Sequence, residues 1–370
     1  MTTVPQKRKE TLMAKVAKRR CRYVLDFYDQ AGARRWITLP KGTTKKQADE
    51  ELKIVTDQVL KGCYLSERKV PLFKGVAKDW LGYKKPKLRI TTWDCYEGHV
   101  RKHFAFFDDL KVNRITTAKV EKFITACQTE GMNIHTTRKI LVTLNQIFSY
   151  AVRHRLIDHN PLRDAERPRD PGETKKEITV LSPPEIKSFL ESTPSHKYRV
   201  LFMLAVTSGA RQGELLALKW SDLDMANGQL HIQRTFQKGQ FFTPKTRTSD
   251  RWVDLGPATK RELKKWKLAC PKSELGMMFP NEEGNPINYT NMVNRHFLPA
   301  LRAAKLPKIR FHDLRHTYAS LLLGQGENVK YIQTQLGHSS PTVTLNVYSH
   351  LMEKRNPKAA SRLEGTIFRK

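Results

Sequence analysis

The sequence has few cysteines and no long apolar run. Its five cysteines are an odd number and none forms a CxxC pair, so neither a disulfide framework nor a structural zinc site is predicted. No stretch approaches the roughly 18 uninterrupted apolar residues of a membrane span, and the start, MTTVPQKRKE, lacks the apolar core of a signal peptide. These absences predict an intracellular protein. The cysteines are Cys21, Cys63, Cys95, Cys127 and Cys270.

Acidic residues are also scarce. The chain holds 36 Asp and Glu against 67 Lys and Arg, a formal net charge of +31, and such an excess favours a polyanionic partner, above all nucleic acid. Hydrophobic residues make up 39% of the chain, which is enough to build cores and excludes wholesale disorder. A length of 370 residues predicts two or three domains, since a typical domain has roughly 150.

Residues 1–65 are predicted to form a small module of a β-sheet and a helix. The β-prone runs 22–28 and 34–39 are separated by a turn, and Thr44 with Gln47 resembles a capping box ahead of a helical pattern. The stretch before the first run is rich in Lys and Arg. We expect it to be a mobile arm that contacts phosphates, with a solvated tail as the alternative.

Three further segments follow along the chain. Residues 70–165 show apolar residues at helical spacing throughout and predict a helical domain. Residues 166–177 are charged, contain proline and predict a linker. Residues 178–370 form the last domain, where Ser182 with Glu185 marks a helix start and mixed helix and strand patterns follow.

The first candidate for chemistry is the segment TSGARQGELLALKWSDLD, residues 207–224. Arg211 lies at a predicted junction between two helices, where backbone N–H groups and a guanidinium together suit an anionic oxygen such as that of a phosphate. Glu214 is expected to hold this Arg or the turn. Taken alone, an Arg in this position is more often an ordinary surface residue or part of a salt bridge.

A second candidate lies in residues 230–255, which alternate like a β-hairpin with a turn around Lys238 and Gly239. Lys245 lies on or near one strand, and a lysine crowded by other cations has a lowered pKa that lets it donate a proton. Arg247 and Arg251 are equally basic neighbours, so a solvated strand face is the alternative.

The third candidate is IRFHDLRHTYASLLL, residues 309–323. His312 and Arg315 are three residues apart and share a helix face, which combines a proton-handling group with a charge clamp. A rival interpretation pairs His312 with His316 in a pattern close to the HExxH zinc motif. Zinc hydrolysis normally uses Glu after the first histidine, where this chain has Asp313, and the intervening Arg would repel a dication.

The fourth candidate is LGHSSPTVTLNVYSH, residues 336–350. Gly337 is predicted to end one helix, and a serine and a proline can start the next. His338 therefore precedes a helix that carries Tyr348, and both side chains could face one cavity. Taken alone, such a tyrosine is more often a half-buried packing residue than a nucleophile.

In this order, the motifs ARQGELLALKW, HDLRHTYAS and LGHSSPTVTLNVYSH make the chain resemble the tyrosine recombinases, the integrases of phages and mobile elements. The resemblance covers residues 178–351. It implies a multidomain, mainly α fold with small β-sheets, in which an α+β catalytic domain follows a helical core-type DNA-binding domain and an arm-type DNA-binding module of a small sheet and a helix.

The resemblance also implies the reaction, a metal-independent, site-specific cleavage and rejoining of DNA that integrates or excises a mobile element. Tyr348 would attack phosphorus and form a 3′-phosphotyrosine bond, freeing a 5′-hydroxyl. Arg211 and Arg315 would clamp the non-bridging oxygens, and Lys245 would act as general acid.

The two histidines and the partners follow from the same resemblance. His312 would handle the tyrosine proton, and His338 would hydrogen-bond the phosphate. No metal or cofactor is implied. The partners are double-stranded DNA with attachment sites, a homotetramer on DNA, and accessory DNA-bending and directionality proteins, without a membrane. The expected location is the cytoplasm of a bacterial host, at the nucleoid.

Three alternatives remain open at this point. A type IB topoisomerase also uses a tyrosine and a basic clamp, but relaxes supercoils instead of joining two sites. The chain could also be a non-catalytic, architectural DNA-binding protein of the same fold. Finally, HDLRH could belong to a metalloenzyme, in which case a chelator would stop DNA cleavage.

Overall fold

The computed structural model describes residues 14–62, 64–66, 69–169, 179–244, 246–340, 342, 345 and 357–368. The chain divides into two compact units, one ending at Thr174 and the other beginning at Lys175. Helices predominate and the sheets are small. The predicted fold class, multidomain and mainly α with small β-sheets, is confirmed. The finer division into 1–65, 70–165, 166–177 and 178–370 stays a prediction.

The first unit opens with a three-stranded antiparallel sheet of order β1-β2-β3 and one helix. These elements are β1 (Lys15–Arg19), β2 (Arg22–Tyr28), β3 (Arg34–Thr38) and α1 (Lys45–Leu60). The expectation of a mobile basic arm over residues 1–22 was wrong for β1, which pairs with β2 along its full length, while residues 1–13 lie outside the described residues. Arg20 and Cys21, with φ of 45° and 61°, form the two-residue turn between them.

Local signals account for the rest of this module. The Asp29 carboxylate accepts the N–H groups of Ala31 and Ala33 at 3.0 and 2.9 Å and so fixes the turn into β3. The predicted capping box is present: the Thr44 N–H donates to Gln47 Oε1 at 2.9 Å, and the Gln47 N–H donates to Thr44 Oγ1 at 3.3 Å.

Four further α-helices lie in the described part of the first unit. They are α2 (Phe73–Lys84), α3 (Ile90–His103), α4 (Thr117–Thr129) and α5 (Ile134–Arg153). Their core is aromatic: the ring of Phe73 contacts those of Phe104, Phe107 and Phe148 at centroid distances of 5.8, 5.4 and 5.8 Å. This interlocked cluster is separate from the apolar cluster between the sheet and α1.

The second unit is built on nine described helices. They are α6 (Pro183–Glu191), α7 (His196–Ser208), α8 (Gln212–Leu215), α9 (Pro257–Ala269), α10 (Tyr289–Met292), α11 (Leu298–Ala303), α12 (Asp313–Gly324), α13 (Val329–Leu336) and α14 (Pro357–Ile367). The predicted start of α6 is confirmed, since the Ser182 N–H donates to Glu185 Oε2 at 2.7 Å. Helix α7 is central: Phe202 packs on Phe189, Phe297 and Phe311.

The strands of this unit form two separate sheets. They are β4 (Leu223–Asp224), β5 (Gln229–Ile232), β6 (Thr235–Gln237), β7 (Gln240–Phe242) and β8 (Arg251–Asp254). One sheet has the order β4-β5-β8, and the other is the hairpin of β6 and β7. The predicted hairpin with a turn around Lys238 and Gly239 is confirmed, since β6 pairs antiparallel with β7 across these two residues and β5 pairs antiparallel with β8, although the two pairs belong to separate sheets.

Among the described residues, none of the helices combines the length and apolarity needed to span a bilayer.

Candidate active site

Arg211 lies where α7 passes into α8. Helix α7 ends at Gly209, whose φ of 59° is the left-handed conformation that glycine adopts without strain. Arg211 is the N-cap residue of α8. Its backbone N–H and its Nη1 donate to the two carboxylate oxygens of Glu214 at 2.9 and 2.8 Å. The sequence-based expectation that Glu214 holds this Arg is confirmed.

Arg315 lies on α12 and joins two helix ends. Its side chain is buried, with 3% of the residue exposed. Nη1 donates to the Gly209 carbonyl and Nη2 donates to the Leu336 carbonyl, each at 2.7 Å. Because the last carbonyls of a helix have no partner within the helix, this one guanidinium satisfies acceptors at the ends of both α7 and α13.

Three arginines donate hydrogen bonds to carbonyls at the carboxyl end of α13. Arg251 Nε donates to the Gln335 carbonyl at 2.6 Å, Arg315 Nη2 to the Leu336 carbonyl at 2.7 Å, and Arg211 Nη2 to the Gly337 carbonyl at 3.3 Å. Cations are favoured here because the helix dipole places partial negative charge at this end. Consecutive carbonyls of one turn therefore bring together guanidinium groups from β8, α12 and the start of α8.

Arg251 was missed as a site residue by the sequence reasoning, which treated it as one more basic neighbour of Lys245. Its side chain is only 3% exposed, and Nη2 forms an ion pair with Glu214 Oε2 at 2.9 Å. A signal did exist: strand β8 alternates between buried and exposed positions, which puts Arg251 on the buried face with Val253. A charged residue on an inward face implies a buried partner, here Glu214.

The two candidate histidines lie beside the arginines. His312 directly precedes α12, and His338 follows Gly337, whose φ of 66° ends α13. Burial, followed by the charges of Arg315 and Arg211, lowers the pKa of His338 to about 4. Partial burial, followed by the interaction with His316 and the charges of Arg315 and Arg211, lowers the pKa of His312 to about 4 as well. Both imidazoles are therefore neutral at pH 7.

Glu214 is the carboxylate within this cationic cluster. Burial alone would raise its pKa, but the charges of Arg251 and Arg211 outweigh burial and hold the pKa of Glu214 below its ordinary value. The ionised carboxylate offsets part of the charge of the arginines. The cluster as a whole is positive and suits an anionic ligand with several oxygens, such as a phosphodiester.

The remaining two candidates, Lys245 and Tyr348, lie outside the described residues. In the sequence, Lys245 belongs to the connection between β7 and β8, two residues before the short 3-10 turn Arg247–Ser249. Tyr348 follows the Gly337–His338 turn, where Ser340 Oγ accepts the Thr342 N–H at 3.1 Å. The structure brings together Arg211, His312, Arg315 and His338 from three parts of the chain.

The side chains of the HDLRH segment make other contacts than those of a zinc site. The Asp313 carboxylate accepts the backbone N–H of Arg310 at 2.7 Å and its Nη2 at 2.8 Å. The rings of His312 and His316 meet edge to face with their centroids 5.1 Å apart. Within the described ranges, no group of three or more His, Cys, Asp or Glu side chains could hold a metal ion.

Comparison with known proteins identifies the family. Residues 179–355 match the Phage integrase family, and residues 73–167 match the Phage integrase central domain. A tyrosine recombinase XerC-like protein of Caldanaerobacter subterraneus subsp. tengcongensis is 29% identical over 353 residues, which cover 87% of this chain and 90% of the relative. Fold, site and matches together define a tyrosine recombinase. The chain belongs to the phage integrase family.

Solved structures of similar fold agree with this assignment. The Tn1549 transposon integrase in complex with a circular intermediate DNA has a TM-score of 0.65 and 18% identity, and covers 80% of this chain and 99% of that chain. A lambda integrase tetramer bound to a Holliday junction has a TM-score of 0.58 and 19% identity, with 92% and 98% covered. At these identities, the likeness is one of fold.

The lowered pKa values predict how the two histidines titrate in the DNA-free protein. We expect neither imidazole to take up a proton as the pH falls from about 8 to about 6. An ordinary histidine has a pKa of about 6.5, whereas His312 and His338 have pKa values of about 4. Since the unfolded chain is protonated first, these groups make stability fall as the pH drops from about 6.5 towards 4.

The measurement is the shift of the imidazole C–H resonances in an NMR pH series. Spectra of His312→Gln and His338→Gln assign the two signals, and a short histidine peptide is the control. A titration midpoint near about 6.5 for either residue would contradict the burial and charge that the structure gives it.

Proposed function

We propose that this site-specific recombinase cleaves and rejoins DNA through a 3′-phosphotyrosine intermediate at the cluster of Arg211, Arg315, His312 and His338. The observation that carries the proposal is the fixing of two guanidinium groups on the carbonyls of Leu336 and Gly337, beside two neutral imidazoles. Such preorganised donors stabilise charge that develops on a phosphate, because they need no reorganisation during the reaction.

Each step of cleavage has a residue with matching chemistry. The Tyr348 oxygen attacks phosphorus and forms the covalent bond while the bond to the 5′ oxygen breaks. His312, which is neutral, accepts the phenolic proton, and Lys245 gives a proton to the departing 5′ oxygen. Arg211 and Arg315 clamp the two non-bridging oxygens with planar forks that match their geometry. His338 donates a hydrogen bond to one of these oxygens.

Rejoining is the reverse of cleavage. The 5′-hydroxyl of another strand attacks the phosphotyrosine, the tyrosine leaves, and the groups that gave and took protons exchange roles. The energy of the phosphodiester bond is conserved in the covalent intermediate, so the exchange as written consumes no nucleotide. Integration and excision of a mobile element then differ only in which strands are brought together.

The first unit supplies contacts for DNA binding in this proposal. On the outer face of the three-stranded sheet, Trp36 is 52% exposed and the Arg34 guanidinium lies 5.3 Å from its ring centroid. A cation beside an exposed aromatic ring suits DNA, and we assign residues 1–65 to arm-type sites on this basis. Residues 70–165 are assigned to core-type sites, and accessory bending and directionality proteins would act on the DNA between them.

A homotetramer on DNA is the proposed assembly. Helix α14 carries Leu363 and Ile367, and Phe368 directly follows it; their exposed fractions of 63%, 60% and 76% form an apolar stripe that a monomer leaves in water. We propose that this helix docks on a neighbouring protomer and so couples cleavage to assembly. The proposed place of action is the nucleoid in the bacterial cytoplasm.

Replacing the nucleophile tests the proposal most directly. Tyr348→Phe should abolish the covalent protein–DNA adduct, because it removes the only atom that bonds to phosphorus, while DNA binding remains. The adduct is measured on a nicked candidate site as a species that resists sodium dodecyl sulfate. Tyr331→Phe is the matched control, since the Tyr331 hydroxyl bonds Asp254 at 3.0 Å and the adduct should persist. An adduct formed by Tyr348→Phe would refute the proposed nucleophile.

The general acid can be tested with a modified leaving group. Lys245→Ala should slow cleavage of ordinary DNA about 10²- to 10⁴-fold, the usual contribution of a general acid, with little change in DNA affinity. A substrate with bridging sulfur at the 5′ position needs no proton, so the variant should cleave it at nearly the wild-type rate. Arg211→Ala is the comparison, because its defect should persist with sulfur. Equal defects of Lys245→Ala on both substrates would assign the proton to another group.

The docking of the tail is tested by assembly. Deleting residues 355–370, or replacing Leu363 and Phe368 by Asp, should leave binding to a single half-site intact and prevent tetramer formation on a full site. Sedimentation of the protein–DNA complexes measures both. Tetramers of unchanged stability in either variant would show that the apolar stripe of α14 has another role.

A further inference from the structure

Arg251 is a buried guanidinium that the proposed reaction does not use. We propose that Arg251 is a positioning residue, which holds Glu214 and the end of α13 so that Arg211 points at the phosphate. This inference rests on the proposed function, because it concerns the clamp assigned there to Arg211.

The first step is the bridge through Glu214. This carboxylate accepts from Arg211 Nη1 at 2.8 Å and from Arg251 Nη2 at 2.9 Å, and Arg251 Nη1 lies 3.3 Å from the oxygen that Arg211 Nη1 also uses. One carboxylate is thus shared by two guanidinium groups. Without Arg251, its full charge would fall on Arg211 and compete with the phosphate for the same donors.

The second step is the link to the neighbouring backbone. Arg251 Nε donates to the Gln335 carbonyl at 2.6 Å, and Nη1 donates to the Ser249 carbonyl at 3.1 Å. Ser249 belongs to the connection that contains Lys245, and Gln335 lies three residues before His338. These two backbone segments therefore fix the Arg251 side chain, and with it the Glu214 carboxylate that Arg211 contacts.

The third step is the close approach at Gly337. A Cβ built on this glycine would lie 2.9 Å from Arg251 Nη1 and 2.9 Å from the Thr248 carbonyl. The backbone of the turn before His338 therefore rests directly on the Arg251 side chain and on the connection after β7. Only glycine leaves room for this contact at a φ of 66°.

The two arginines that share Glu214 differ in exposure and in hydrogen bonding. The Arg251 side chain is 3% exposed, whereas the Arg211 side chain, on the other side of the same carboxylate, is 37% exposed. Arg211 can therefore meet a phosphate that arrives from solvent, whereas the Arg251 guanidinium already donates to Gln335, Ser249 and Glu214 within the protein. A lysine could not replace Arg251, because a compact ammonium lacks the planar fork that reaches Glu214, Ser249 and Gln335 together.

The test compares a charged and a neutral phosphate. Arg251→Met should slow cleavage of a phosphodiester about 10- to 100-fold, less than the roughly 10²- to 10³-fold loss of a whole donor, because Arg211 is displaced and not removed. A methylphosphonate at the scissile position lacks the charged oxygen, so the same variant should lose clearly less on it. Arg251→Lys should behave like Arg251→Met. Rates are taken at saturating protein and divided by the wild-type rate on each substrate.

A matched control separates this effect from a general loss of stability. Arg234 forms an ion pair with the buried Asp222 at 2.6 Å in the same unit. Arg234→Met should lower the melting temperature and reduce cleavage of both substrates by equal factors. As a second measurement, Arg251→Met in an Arg211→Ala background should cause almost no additional loss, since its effect passes through Arg211.

Equal losses of Arg251→Met on both substrates, or the same factor with and without Arg211, would overturn the positioning role and leave only a structural one. These outcomes differ from a failure of the proposed function. That failure would appear as the absence of a wild-type adduct, or as an adduct formed by Tyr348→Phe.

Discussion

The carboxyl end of α13 is the constraint on which the site depends. Its last carbonyls need partners that the helix itself cannot supply, and they obtain them from Arg251, Arg315 and Arg211. The same contacts restrain three long and otherwise flexible side chains. The unpaired carbonyls at a helix end thus gather positively charged groups in a fixed geometry. Glu214 offsets part of this charge through its contacts with Arg211 and Arg251.

Much of the architecture follows from short-range signals in the sequence. The capping boxes of Thr44 and Ser182 were predictable because a capping box needs only residues three apart. The junction at Arg211 was predictable for a similar reason, since Gly209 ends one helix and Glu214 lies within reach of the Arg. Such signals require no knowledge of distant parts of the chain.

Features that depend on distant partners were not predictable in this way. Strand β1 contains three basic residues and resembles a solvated arm until β2 is placed beside it. The role of Arg251 depends on Glu214 and Gln335, which lie 37 and 84 residues away in the sequence. Spacing along β8 indicates only that Arg251 points inward. The identity of its partners is a property of the tertiary fold.

The order of these contacts along the chain has a consequence for synthesis. Arg211, Arg251 and Arg315 all leave the ribosome before the carbonyls of 335–337 on which they dock. A nascent chain that has not yet reached these residues therefore holds all three arginines but lacks the acceptors that gather their guanidinium groups into one cluster.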